Sequence, residues 1–220
     1  MYKVVKRAGD FFAAFIILLI LSPFLIIIII LLKFSGEGEV FYFQKRIGYK
    51  NKYFNIWKFA TMLKNSPNIG AGLITVRNDP RVTWVGSFLR KSKLNELPQL
   101  INVLIGDMSL VGPRPLVQKT FDAYNEEVRN NIYHSVPGIT GIGSVIFRDE
   151  ELLVSKAEMD PHLYYQTVIA PYKGELELWY LKGKNIWVDI VIMFLTIWVI
   201  IFPKSDLPYK IFKDLPVRNF

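Results

Sequence analysis

Apolar residues fill every position from Phe11 to Leu32 except Ser22-Pro23, a 22-residue run whose length predicts a helix. Such a helix would be about 33 Å long, enough to reach through a hydrocarbon core. Its 18 Leu, Ile and Phe residues favour insertion by about 9 kcal/mol, of which the internal proline removes about 3 kcal/mol. A second apolar run, Ile186 to Phe202, follows Asn185, a residue suited to an N-cap. Asp189 interrupts it and leaves Ile190 to Phe202, about 20 Å of helix, too short to span. That run reads as an interfacial helix lying partly on protein and partly in lipid, with a buried core helix as the alternative.

The stretch between the two runs mixes both periodicities. Glu39 to Phe43 and Tyr53 to Trp57 read as strands around a turn at Gly48. A helical pattern sets in from Ser87, with Leu97, Leu100, Ile101 and Leu104 on one face. Asn95 suits that helix's N-cap, Pro98 its first turn and Gly106 its end. Met108 to Val111 is a short strand entering the rigid loop Gly112-Pro113-Arg114-Pro115, and residues 121–132 read as a surface helix. Pro137 to Gly143 is a glycine-rich loop ahead of the apolar Ser144 to Phe147. The expected fold is α+β: a small single-domain membrane-associated protein with an N-terminal re-entrant helix broken at Ser-Pro and amphipathic interfacial helices. Its expected divisions are 1–33 for the membrane helix, 34–185 for the catalytic domain, and 186–220 for the interfacial helix and tail.

Charge decides how the first helix sits. Lys3, Lys6 and Arg7 precede it; Lys33, Lys45, Arg46, Lys50, Lys52 and Lys58 follow it. Positive residues prefer the cytoplasmic side, and here both flanks qualify. A helix broken at Ser22-Pro23 enters and leaves by one face, a reading favoured over a helix that crosses. A signal peptide is the remaining alternative, but Leu31-Leu32-Lys33-Phe34 offers no small-residue cleavage site. The 220 residues carry 27 Lys and Arg against 19 Asp and Glu, a net charge of +8 that calls for anionic partners. Nucleic acid would answer the charge but leaves both apolar runs without a purpose. The absence of cysteine excludes disulfides, thiolate metal sites and a cysteine nucleophile. His134 and His162 have no ligand spacing, and no nucleotide glycine fingerprint occurs.

The candidate chemistry lies in two blocks. Arg90-Lys91-Ser92-Lys93-Leu94-Asn95-Glu96 gathers cations before a helix start and a carboxylate in its first turn, where anions are favoured. Arg114 between two prolines has lost backbone freedom, which suits bidentate binding of phosphate. In chain order come Lys6-Arg7, Ser22-Pro23, Phe43 to Gly48, Trp57 to Met62 and Asn78 to Thr83. Leu89-Arg90-Lys91, Asn95 to Gln99, Gly106 to Pro115 (GDMSLVGPRP) and Pro137 to Gly141 follow. This succession resembles the bacterial sugar transferase family, the monotopic phosphoglycosyl transferases, strongly over residues 3–145 and loosely over 172–200.

The resemblance implies an enzyme of the inner membrane, its catalytic domain on the cytoplasmic face. It implies transfer of a sugar-1-phosphate from a UDP-sugar to polyprenyl (undecaprenyl) phosphate, with Mg²⁺ and release of UMP, to begin a polysaccharide or glycan. Membrane lipids and downstream glycosyltransferases are the further implied partners; nucleic acid is not one. The family uses an Asp-Glu pair whose aspartate attacks phosphorus to give a covalent phosphosugar-enzyme. Here the pair is Asn95-Glu96, and an amide is a far poorer nucleophile and Mg²⁺ ligand than a carboxylate. Either another carboxylate supplies the charge, Glu96 or the cluster Asp149-Glu150-Glu151, or the chain is an inactive membrane scaffold, or Asn95 is a trapping substitution. Ala60 is a second departure, where the family usually has arginine. The expected site therefore has Glu96, Asn95, Asp149 and Glu150 as catalytic candidates, and Glu96 as the metal ligand. Arg90, Arg114, Arg148, Lys58 and Lys93 are the candidate substrate ligands; Ser22 and Pro23 are the membrane residues.

Overall fold

The computed structural model describes residues 1–66, 79–148 and 150–220; Asn78 and Asp149 lie outside them. The chain begins with α1 (Tyr2–Lys33), followed by the antiparallel strands β1 (Phe41–Ile47) and β2 (Tyr53–Phe59). Next come α2 (Trp84–Lys91), a 3₁₀ turn (Leu94–Glu96), α3 (Gln99–Ile105) and β3 (Ser109–Val111). The short helices α4 (Gln118–Phe121) and α5 (Glu126–Asn131) lead to β4 (Gly138–Thr140), which pairs in parallel with β3. The remainder is helical: α6 (Ile142–Ile146), α7 (Glu150–Lys156), α8 (Pro161–Tyr164), a π-helical turn (Tyr165–Ile169), α9 (Ala170–Gly183), α10 (Ile186–Ile201) and α11 (Leu207–Ile211). The mixed α+β class is as expected.

Several elements depart from the expectation. Helix α1 begins at Tyr2, ahead of the apolar run, and continues through Pro23 without a break. Proline 23 has no N–H for the carbonyl of Leu19, and the Ser22 hydroxyl donates to that carbonyl at 2.8 Å. The Ser-Pro pair thus repairs its own defect. Asn95 is not an N-cap: it lies inside the 3₁₀ turn, which Lys93 opens with a left-handed φ of 61°, and α3 starts only after Pro98. The segment Ser144 to Phe147 is the end of α6, and the helix expected over 121–132 is split into α4 and α5. Gly106 ends α3 as expected, with φ 99°. Asn185 caps α10, its side chain accepting from the Val188 N–H at 3.1 Å.

Helix α1 is tied to the domain at both ends. Near its start, Arg7 donates to the carbonyls of Val103 and Leu104, which the end of α3 leaves free. Buried Asp10 accepts from the Ser109 hydroxyl at 2.6 Å. Asp189 on α10 accepts from Tyr2 and Lys6 at 2.8 Å each and from Tyr180 at 2.7 Å. Ala14 then packs among Leu100, Val103 and Met108, while Ile28 and Leu32 pack against Phe59 and Leu89. Between these anchors Phe15, Ile16, Leu19, Ile20, Phe24, Ile26 and Ile27 are bare.

Helix α10 buries Val188, Val191, Ile192, Leu195 and Val199 in the largest core, with Ile142, Ile169, Leu176 and Tyr180. Its other face leaves Trp187, Ile190, Phe194 and Ile197 uncovered. Fully buried Asn102 joins the hairpin to α3: it donates to Asn55 O at 2.8 Å and accepts from Trp57 N–H at 2.9 Å. This bond sets β2, and with it Lys58, against the turn that carries Glu96.

Candidate active site

Two glycine-containing loops interlock to build the site. The N–H of Gly112 donates to Thr140 O and the N–H of Gly138 to Pro113 O, both at 2.9 Å. A Cβ on Gly138 would lie 2.1 Å from the Gly112 nitrogen, and one on Gly112 would lie 2.4 Å from Val136 O. Only glycine permits this approach. The remaining polar groups of the Arg114 loop are also held. Tyr133 Oη donates to Arg114 O at 3.0 Å and accepts from Leu116 N–H at 2.9 Å; Arg46 donates to Pro115 O at 3.1 Å; Ile47 N–H donates to Leu116 O at 2.9 Å. The Arg114 N–H acts on the buried Glu177 carboxyl from α9. Fixing the backbone in this way removes most of the entropy that a binding arginine would otherwise lose.

Arg114 and Lys58 meet at one oxygen. Glu96 Oε1 accepts from Lys58 Nζ at 3.1 Å and from Arg114 Nη2 at 3.2 Å. Arg46, on the same face of β1 as Gln44, donates to Gln44 Oε1 and points into the same region. Burial would raise the Glu96 carboxyl, but Arg114, Lys58 and Lys93 outweigh it and hold Glu96 well below the usual carboxylate range. Burial pushes the Lys58 ammonium down to about 8, with Arg114 and Arg46 adding to the fall and Glu96 opposing it. Arg46 falls to about 10 through burial and the neighbouring Arg114. Four cations thus surround a single carboxylate, and the cluster has an uncompensated positive charge suited to a polyanion.

Of the residues expected from sequence, Glu96, Lys58, Arg114 and Lys93 come together here. Asn95 is buried, and its Oδ1 has no hydrogen-bond partner among the described residues. Arg90 sits in the last turn of α2. Arg148 is exposed just after α6 and is not among the side chains on Glu96. Glu150 pairs with Lys173 of α9, and its charge also acts on Arg114. Asp149 lies outside the described residues. Ser22 and Pro23 lie far along α1 from the cluster in sequence, where they serve the helix itself.

Arg46, Tyr133, Lys173 and Glu177 belong to the site and escaped the sequence reading. For Arg46 a signal existed, since period-two alternation puts Gln44 and Arg46 on the hairpin face that also bears Lys58. Glu177 is buried with one oxygen unpartnered among the described residues, and burial raises its carboxyl to about 8. The expected Mg²⁺ fits this donor set poorly. Among the described residues no three acidic or histidine side chains converge, and Glu96 is already shared by two cations.

An α+β domain with bare apolar helices and a cation-rich cluster is the class of protein so far defined. The chain belongs to the bacterial sugar transferase family, whose pattern matches residues 1–203. It is similar to the undecaprenyl-phosphate glucose phosphotransferase of Komagataeibacter xylinus, with 38% identity over 87% of this chain and 35% of that protein. Identity to the UDP-glucose:undecaprenyl-phosphate glucose-1-phosphate transferase of Escherichia coli K12 is 39%, over 89% of this chain and 40% of that protein. The exopolysaccharide production protein ExoY of Sinorhizobium fredii is 32% identical over 87% of this chain and 83% of its own length. The chain therefore spans less than half the length of the first two relatives.

Removing the Glu96 charge leaves Lys58, Arg46 and Arg114 facing one another. Glu96→Gln should cost about 2 kcal/mol at pH 7, a value reduced for partial exposure of the pair. Because the folded-state pKa lies below the unfolded 4.5, this contribution is complete above about pH 5 and is lost as the pH falls below 4.5. Urea unfolding of both proteins in detergent at pH 7 and at pH 4 measures it. Equal stability at pH 7 would contradict the account.

Proposed function

We propose that this chain transfers a sugar-1-phosphate from a UDP-sugar to a polyprenyl phosphate and releases UMP. The observation that carries the proposal is the excess of positive charge around Glu96, set on a domain whose apolar helices are bare. An oxygen of the acceptor phosphate ends bonded to the donor's β-phosphorus, and the bond from that phosphorus to the bridging oxygen of UMP breaks. Arg114 and Lys58 bind the diphosphate and neutralise the charge that grows on the departing UMP oxygen. Arg46 holds Arg114 in place through Pro115 and adds its own field. Glu96 keeps Lys58 and Arg114 on one side before substrate arrives. No step here runs through Mg²⁺. Names of the relatives that include undecaprenyl phosphate and UDP-glucose support the substrate classes.

For the membrane we propose that both ends of α1 stay at the cytoplasmic face of the inner membrane, with its bare middle in lipid. Two packed ends on one domain support this, because a crossing helix would carry one of them to the far side. Bare Trp84 and Phe88 on α2 and the outer face of α10 supply further lipid contacts. Lipids are thus partners of the fold, and glycosyltransferases that extend the product are the enzymes expected to act next.

A second reading, an inactive membrane scaffold, draws on Asn95 with its buried, unpartnered oxygen. Turnover separates the two. Wild-type protein with undecaprenyl phosphate, Mg²⁺ and a panel of UDP-sugars should release UMP with at least one of them. Arg114→Ala should lower the rate about a hundredfold, the scale of losing a donor to a developing oxyanion. Asn95→Asp should raise it, since it places a carboxylate among excess cations. No UMP from the wild type with any donor would favour the scaffold. For the membrane placement the cysteine-free chain is convenient: Lys3→Cys and Lys52→Cys should both react with an impermeant maleimide from the cytoplasmic side only. Labelling from opposite sides would overturn the re-entrant reading.

A further inference from the structure

The two sides of Arg114 differ in charge. Toward Glu96, the cations Lys58, Arg46 and Lys93 outnumber the single carboxylate. Toward α7 and α9 the charges balance. Glu150 acts on Arg114 and is paired with Lys173, and Lys173 also faces Glu177 one turn along its own helix. A second phosphate gains little there, because burial keeps Glu177 neutral near pH 7 and Glu150, already paired with Lys173, would repel it. A hydroxyl group, by contrast, finds an acceptor in Glu150 and a donor in Lys173 side by side.

An aromatic surface adjoins this ion pair. The Lys173 Nζ lies 5.6 Å from the centre of the Tyr165 ring and 5.2 Å from that of Phe147. Phe147 is buried beneath Tyr172, whereas Tyr165 is only partly covered and its side chain is hydrogen-bonded to Tyr124. Tyr165 also opens the π-helical turn Tyr165–Ile169, whose extra residue per turn re-aims the side chains at the head of α9. Glu150 is about one-third exposed while Lys173 is buried, so a ligand reaches the pair from the Glu150 side.

We propose that Glu150, Lys173 and the ring of Tyr165 form the subsite for the neutral, polyhydroxylated part of the donor, next to the cluster that takes its phosphates. This rests on the nucleotide-sugar reading above and names the residues that discriminate between sugars. The ring supports the C–H face of a pyranose, and the ion pair reads one or two hydroxyls or an acetamido group by charge-assisted hydrogen bonds. An anion site joined to a neutral polar one has the outline of a sugar phosphate. A site built on such bonds rejects donors that lack the matching group.

Calorimetric titration of the full chain in nanodiscs tests this, with UDP, UDP-glucose, UDP-galactose, UDP-N-acetylglucosamine and UDP-N-acetylgalactosamine as the probes. Glu150→Gln should weaken the best-bound UDP-sugar by about tenfold or more, the scale of one lost charge-assisted bond, and Tyr165→Leu by about fivefold, the scale of one lost ring contact. Affinity for UDP, which lacks the sugar, should stay within about twofold of the wild type by the same reasoning. Equal losses for UDP and UDP-sugar, or no loss for any UDP-sugar, would overturn the subsite while leaving the nucleotide-sugar reading intact. A wild type that binds neither UDP nor any UDP-sugar would overturn both. Glu150→Gln keeps size and shape at a partly exposed position, so the test survives if Tyr165→Leu fails to fold.

Discussion

The position of Arg114 is decided by its backbone rather than by its side chain. Prolines on both sides restrict φ, and the polar main-chain groups from Gly112 to Leu116 are engaged by Thr140, Gly138, Tyr133, Arg46, Ile47 and Glu177. These partners come from the parallel strand pair, the hairpin, the 3₁₀ turn Ile132–His134 and α9, so a shift in any of them would move the arginine. That dependence gives the separated glycine motifs a common reason: Gly112 and Gly138 approach within a distance that no Cβ allows. A guanidinium held this way is ready for an anion before the anion arrives, and little of the binding energy is lost in ordering it.

The electrostatic design follows from the same geometry. One carboxylate, Glu96, gathers Lys58 and Arg114 onto a single oxygen yet cannot balance them along with Arg46 and Lys93. Burial, with Arg114 and Arg46 adding to it, drives Lys58 down to about 8, and a bound diphosphate would offset that cost. On the proposed function, the bare apolar helices address the other half of the problem, since a lipid-borne acceptor would be met at its own surface. Polar contacts from Arg7, Asp10 and Lys6 fasten α1 to α3, β3 and α10, so that the bare apolar helix and the charged cluster are parts of one arrangement.

Much of this was legible from residue order. The long apolar helix, the Asn185 cap, the Gly106 stop, the Arg114 loop and the meeting of Glu96 with Lys58 and Arg114 follow from local chemistry or from the run of motifs. The failures have physical causes. Asn95 looks like a cap because capping preference is local, whereas the 3₁₀ turn that holds it begins with a left-handed Lys93 that no propensity announces. Pro23 reads as a break, yet α1 runs on through it, with the Ser22 hydroxyl serving the carbonyl that the proline abandons. Lys173 and Glu177 were invisible, because a charged pair four apart on a helix usually faces water, and only tertiary packing turns this pair inward. Asp189 read as an interruption of an apolar helix, and it is the acceptor for Tyr2, Lys6 and Tyr180.

The most direct measurement is a structure of the protein in lipid nanodiscs with UDP bound, read for the neighbours of the diphosphate. The account predicts phosphate oxygens within hydrogen-bonding distance of the Arg114 guanidinium and the Lys58 ammonium, with the Pro113 to Leu116 backbone unmoved. A diphosphate seated away from Glu96, against exposed Arg148 or the lysines at the tip of the hairpin, would contradict it.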